Sequence, residues 1–170
     1  MTTSFKQPTL NLPDTIYEKI LEALAIIFSV GALLLAIFKF SSLPQEIPTH
    51  FNASGKADGF GSKMSIFIIP VIAIATCLLM VIISKTPHKF NFLNKITEEN
   101  APREYRRARF IVRVVNAMTS LLFLCITNEM IQASEMSTPS MGVFILVFCL
   151  AITIAPIIIY IFWPTSNQAD

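Results

Sequence analysis

Apolar residues in this chain gather into four long runs, set apart by polar segments that differ sharply in length and charge. The first, Ile20 to Phe40, holds only Glu22 and Lys39 as charges, both near its ends. The second, Ser65 to Ser84, has none, and the third, Ile111 to Asn128, has Arg113 one turn inside its start. The fourth, Met141 to Trp163, is again free of charge. At about 1.5 Å of rise per residue, runs of this length match a hydrocarbon core of roughly 30 Å. A backbone in lipid must satisfy its own hydrogen bonds, so each run predicts a helix. The expected fold class is therefore an all-α integral membrane protein, one four-helix transmembrane domain over residues 1–170. Its helices are expected at about 18–40, 64–84, 103–128 and 141–163, with an outer loop at 41–63 and a basic inner loop at 85–110.

Composition strengthens this reading. Hydrophobic residues make up 54% of the chain and charged ones only 14%, with a mean hydropathy of +0.63. Soluble domains carry about a quarter charged residues, so four buried helices in a soluble protein would lack the polar sequence to cover them. A net charge of +2 gives no reason to expect a nucleic-acid partner. Its distribution is more telling. Lys85, Lys89, Lys95, Arg103, Arg106, Arg107, Arg109 and Arg113 are eight of the thirteen basic residues. By the positive-inside rule that segment is cytoplasmic, both termini join it, and the 41–63 and 129–140 segments face out. No small-residue cleavage site follows Phe38, so the first helix is expected to stay in the mature chain.

The helices show ordinary packing devices. Ala25, Ser29, Ala32 and Ala36 are spaced to let another helix approach, which leaves room for a homo-oligomer without requiring one. Pro70 falls in the first turns of the second helix, where a missing N–H costs little. Pro156 falls mid-span in the fourth and should kink it. Tyr160 and Trp163 suit an interfacial aromatic anchor. Asn116, Thr119 and Ser120 are placed to hydrogen-bond across helices. Cys77, Cys125 and Cys149 all lie in apolar runs with no C-x-x-C pair, which points to packing and neither to a disulfide framework nor to a metal site.

The specific polar residues sit in the two larger loops. In the outer one, Pro44 and Pro48 stiffen an extended start, and Asn52 to Gly55 is turn chemistry with Gly55 available for positive φ. Asp58, Gly59 and Gly61 supply a second bend. A short hairpin-like element follows, with Phe51 and Phe60 resting on the helix ends or the membrane interface. His50, Asn52, Gly55, Asp58, Gly59, Gly61 and Lys63 are the candidate ligand-binding or loop-structuring residues. His50 and Asp58 could serve a metal, but two ligands without a third are a weak signal, so no metal or cofactor is expected. In the inner loop Asn100 is the expected helix N-cap, with Pro102 tolerated in the first turn. Arg103, Arg106, Arg107, Arg109 and Arg113 share an arc of about 160° on a helix. That arc suits contact with anionic headgroups of the inner leaflet, or with a cytoplasmic partner. There is no nucleophile–base pair, no H-E-x-x-H and no phosphate-binding glycine loop, so no enzymatic activity is expected.

The stretch Leu43-Pro44, Ile47-Pro48-x-His50-Phe51-Asn52, Gly55, Asp58-Gly59-x-Gly61-Ser62-Lys63, followed by a helix bearing Pro70, resembles a bacterial membrane domain of unknown function. That domain forms the N-terminal part of SdpI-type immunity proteins. The later Thr97-Glu98-Glu99-Asn100-Ala101, Tyr105 and Ala108-Arg109 resemble its inner loop, so the resemblance runs from about residue 20 to beyond 125. It implies a shared fold in the bacterial inner membrane, and with it immunity to a secreted peptide toxin or signalling through a cytoplasmic regulator. A small transporter or accessory subunit is the alternative. It would have to line its path with Thr76, Asn116, Thr119, Ser120 and Thr153.

Overall fold

A computed structural model describes residues 7–92, 94–136 and 142–162; of the side chains in the last stretch, those at 143–146, 149 and 160–162 fall outside the description. The anchor expected at Tyr160 and Trp163 and the start of the fourth run at Met141 thus lie outside the described residues and side chains.

Four helices and one small sheet make up the fold: α1 (Ile16–Lys39), β1 (Glu46–Phe51), β2 (Ala57–Ser62), α2 (Ile68–Ser84), α3 (Ala101–Ser134) and α4 (Val143–Phe162). Among the described residues, three helical stretches, Ile16–Lys39, Lys63–Ser84 and Ala101–Ser134, are long and apolar enough to cross a membrane. In α4 the described apolar stretch is shorter, Leu150–Ile159. The presence of β1 and β2 means that the fold is not purely helical.

Local chemistry sets where the helices start. Thr15 caps α1 through a capping box, accepting from the Glu18 N–H while the Glu18 carboxylate accepts from the Thr15 N–H. Two backbone donors that the first turn leaves orphaned are thereby satisfied. At α3 the expected Asn100 holds the N-cap position, but the side-chain capping pair forms upstream of it. Asn100 already has helical φ and ψ and makes no side-chain cap bond. Instead Thr97 Oγ1 accepts from the Asn100 N–H at 3.3 Å, and Asn100 Oδ1 accepts from the Thr97 N–H at 2.9 Å. A helical bond already runs from the Ala101 N–H to the Thr97 carbonyl. The capping turn therefore starts at Thr97, and Pro102, lacking an N–H, interrupts only the first bonds of the ladder. A 3-10 turn, Lys63–Phe67, leads into α2, and Pro70 is buried one turn inside it.

Helix α3 is the centre of the bundle and packs against α1, α2 and α4. Ala25, Ser29, Ala32 and Ala36 are all buried along one face of α1. Small side chains there let α1 and α3 approach closely, which is how helices associate where there is no hydrophobic drive between them. Ala25, Cys77 and Ala117 join α1, α2 and α3 mid-bundle. Two further apolar clusters sit at the ends. At one, Ala36, Leu43, Ile47, Ile66, Met130 and Ile131 dock the sheet onto the helices. At the other, Ile96, Ala101 and Tyr105 take up Leu10, Leu12 and Phe92.

Candidate functional site

At one end of the bundle the chain presents a β-hairpin. Strands β1 and β2 are antiparallel, pairing Glu46 with Ser62, Ile47 with Gly61, Pro48 with Phe60, His50 with Gly59 and Phe51 with Ala57. Thr49 and Asp58 are skipped in that register, one bulge on each strand. Bulges re-aim side chains, and here the extra Asp58 brings its carboxylate Oδ1 against His50 Nδ1. The His50 and Asp58 side chains remain 73% and 46% exposed.

The loop between the strands is organised by Asn52. Its Oδ1 accepts from the Ser54 N–H at 3.0 Å, the Ser54 hydroxyl at 2.7 Å and the Lys56 N–H at 3.0 Å. Gly55 takes φ 80°, a left-handed conformation open to glycine without steric cost. Gly59 is needed for a different reason: a Cβ there would lie 2.9 Å from His50 Cβ across the strand pair. Gly61 likewise faces Thr49, with 3.2 Å to its methyl. Lys63 is tied to the hairpin base, its ammonium 4.6 Å above the centre of the Phe40 ring. Of the outer-loop candidates, then, Asn52, Gly55, Gly59, Gly61 and Lys63 shape the hairpin, and His50 and Asp58 form its outward polar pair. Phe51 packs on the docking cluster and Phe60 stays half exposed.

At the opposite end, the five arginines of the expected headgroup arc part company. Arg103 and Arg106 are exposed and Arg107 is half-buried. Arg109 and Arg113 are 5% and 2% exposed and point into the protein, so they are not headgroup contacts. Arg109 grips Glu18 with two parallel bonds, Nε to Oε1 at 2.6 Å and Nη2 to Oε2 at 2.9 Å. It also donates to the Leu12 and Pro13 carbonyls at 2.8 and 3.1 Å. Arg113 Nη2 donates to Asp14 Oδ1 at 2.9 Å and lies 3.5 Å from Glu22 Oε2. Residues 7–14 thereby become a strap across α3. Tyr105 adds a bond from its hydroxyl to the Pro8 carbonyl at 2.9 Å, and Gln7 Nε2 donates to the Phe90 carbonyl.

Buried charges are tolerated only when paired, and this need explains why the two inner arginines turn inward. The carboxylates of Asp14, Glu18 and Glu22 lie on their side of the bundle. A sequence signal existed. Thr15-x-x-Glu18 is a capping box, and Glu22 follows Glu18 at helical spacing. A row of polar side chains continues inward along α3. Asn116 Nδ2 donates to the Cys77 carbonyl at 3.4 Å, and the Ser29 and Ser120 hydroxyls meet at 3.1 Å. Among the described residues, Arg113 Nε and Nη1 and Asn116 Oδ1 are buried without a hydrogen-bond partner.

Residues 27–74, from mid-α1 through the hairpin into α2, match a family described as a domain of unknown function, DUF1648. An uncharacterized protein of Archaeoglobus fulgidus is 29% identical over 152 residues, an alignment covering 79% of this chain and 80% of its own length. No solved structure matches the chain. The similarity to DUF1648 thus falls on the hairpin and the parts of α1 and α2 that flank it.

Proposed function

We propose that this is a multi-pass protein of a prokaryotic cytoplasmic membrane that recognises a molecule outside the cell through the β1–β2 hairpin. In this reading α4 supplies a fourth crossing and both termini lie inside. Arg103, Arg106 and Arg107, left exposed or half-exposed, meet anionic headgroups or a cytoplasmic regulator. The observation that carries the reading is the way the hairpin is mounted. Ile47 of β1 is fully buried against Leu43, Ile66, Met130 and Ile131, while His50 and Phe60 face outward. A loop that only joined two helices would need no sheet, no bulges and no buried anchor. A rigidly held polar tip is what recognition requires, because a pre-formed surface loses less conformational entropy on binding.

The outer-loop resemblance to SdpI-type immunity proteins supports a peptide toxin as the recognised molecule. To test this, a toxin-sensitive strain expressing the chain is challenged with the secreted peptide. Survival that falls to the empty-vector level in His50→Ala and Asp58→Ala, at unchanged membrane abundance, is the expected result. Killing equal to the empty vector with the wild-type chain would reject immunity.

The row from Arg113 to Ser120 favours a second reading, a small transporter, since buried polar groups in such helices are costly and commonly functional. Asn116→Leu with unaltered uptake of every solute the strain requires would remove it.

A further inference from the structure

A separate feature lies between α1 and α3 near the hairpin end: a half-open cavity of about 340 Å³ lined by Leu35, Leu124, Cys125, Asn128 and Glu129. Its size falls within the range of small-molecule sites, about 300–1,000 Å³. Leu35 and Leu124 make the lining apolar, and Asn128 and Glu129, successive residues of α3, bring a carboxamide and a carboxylate to it.

Glu129 is 8% exposed. Its Oε2 accepts from the Gly142 N–H, just before α4, at 2.6 Å. The backbone can come this close because Gly142 has no side chain; a Cβ there would lie 3.0 Å from the same oxygen. That bond orients the carboxylate but leaves its charge uncompensated. No cation pairs with Glu129 among the described residues. The nearby lysines are engaged elsewhere, Lys39 with Glu135 and Lys63 on the Phe40 ring. Residues 130–142 contain no Lys, Arg or His at all.

A buried carboxylate at the rim of an apolar cavity is complementary to one kind of occupant. We propose that this cavity binds a small ammonium-bearing molecule with a short apolar body. The ammonium pairs with Glu129 and donates to the Asn128 amide oxygen, and the hydrocarbon lies against Leu35 and Leu124. Nothing in this site depends on the role of the hairpin.

Cys125 in the wall provides the readout. The purified full chain in neutral-lipid nanodiscs is treated with a maleimide, and modification of Cys125 is followed by peptide mass spectrometry. n-Hexylammonium at about ten times its dissociation constant should slow the reaction about ten-fold by occupancy. n-Hexanol, of the same length and uncharged, should slow it far less. In Glu129→Gln the protection by the amine should fall to the level given by the alcohol. Leu35→Trp, which fills the cavity from α1, should slow labelling without ligand and abolish any further effect of the amine; it covers the case in which Glu129→Gln does not fold. Equal protection by amine and alcohol, full amine protection in Glu129→Gln or in Leu35→Trp, or no protection at millimolar amine would each overturn the proposal.

Discussion

The two ends of this bundle are held by opposite means. At the hairpin end the contacts that dock the sheet are apolar, Ile47 and Leu43 against Ile66, Met130 and Ile131, and the His50–Asp58 pair is left at the surface. At the strap end the order is inverted. Ionic groups are buried, with Arg109 and Glu18 each almost wholly enclosed, while Arg103 and Arg106 remain outside. Apolar docking is non-directional and tolerates small displacements, whereas a two-bond guanidinium–carboxylate pair fixes both angle and register. The contrast implies that the hairpin is fastened but tunable, and that the strap end has one geometry or none.

Substitutions can break this contrast, the most severe at the strap end. Arg109→Met leaves Glu18 buried without its counter-charge and should cost about 3–5 kcal/mol. Detergent-denaturation curves should show it, and the double variant with Glu18→Leu should recover much of the loss, because the penalty belongs to the unpaired charge. Full additivity of the two single losses would mean that the pair is not the fastening. Ile47→Ala removes the central anchor of the hairpin and should cost about 2–5 kcal/mol. Hydrogen exchange should report opening of β1 and β2 with α1 and α3 still protected. Uniform loss of protection would show that the two ends are not separable.

Smaller changes sharpen the comparison. Asn52→Ala removes the acceptor shared by three donors in the turn and should cost about 1–2 kcal/mol. The effect should be confined to exchange rates in residues 46–62. Tyr105→Phe loses the bond to the Pro8 carbonyl, worth about 1 kcal/mol. It should raise protease sensitivity within residues 7–14 and leave the hairpin unchanged. A strap equally resistant after that substitution would place its attachment in the arginine contacts and Gln7, with no share for Tyr105.

The helical segments were legible because apolar length is a strong signal that tertiary context rarely overrides. The hairpin was legible for a related reason: the prolines, Asn52 and the glycines write turn geometry directly into the sequence. That His50 and Asp58 meet could not be read, because it depends on two bulges that skip Thr49 and Asp58. Local pattern also misassigned the arginine arc. A helical wheel places Arg109 and Arg113 beside Arg103 and Arg106, but only the packing of α1 and the strap decides which are enclosed. Asn100 holds the N-cap position of α3 as expected, but its side chain bonds reciprocally with Thr97 instead of capping the helix, a pairing that the spacing of the two residues makes visible in the sequence. Helix α3 continues past Asn128 to Ser134, and the Glu129 carboxylate that would mark an interface is turned instead toward Gly142.

The Glu18–Arg109 pair also sets an order in time. Its members are 91 residues apart, so during synthesis α1 is made long before its partner exists. At roughly 5–20 residues per second, Glu18 waits about 5–18 seconds for Arg109 to be added. Until then an acidic residue at the start of the first helix stays unmatched, and only the arrival of α3 locks the strap. A nascent chain halted before Arg109 is therefore a bundle whose strap has not yet closed.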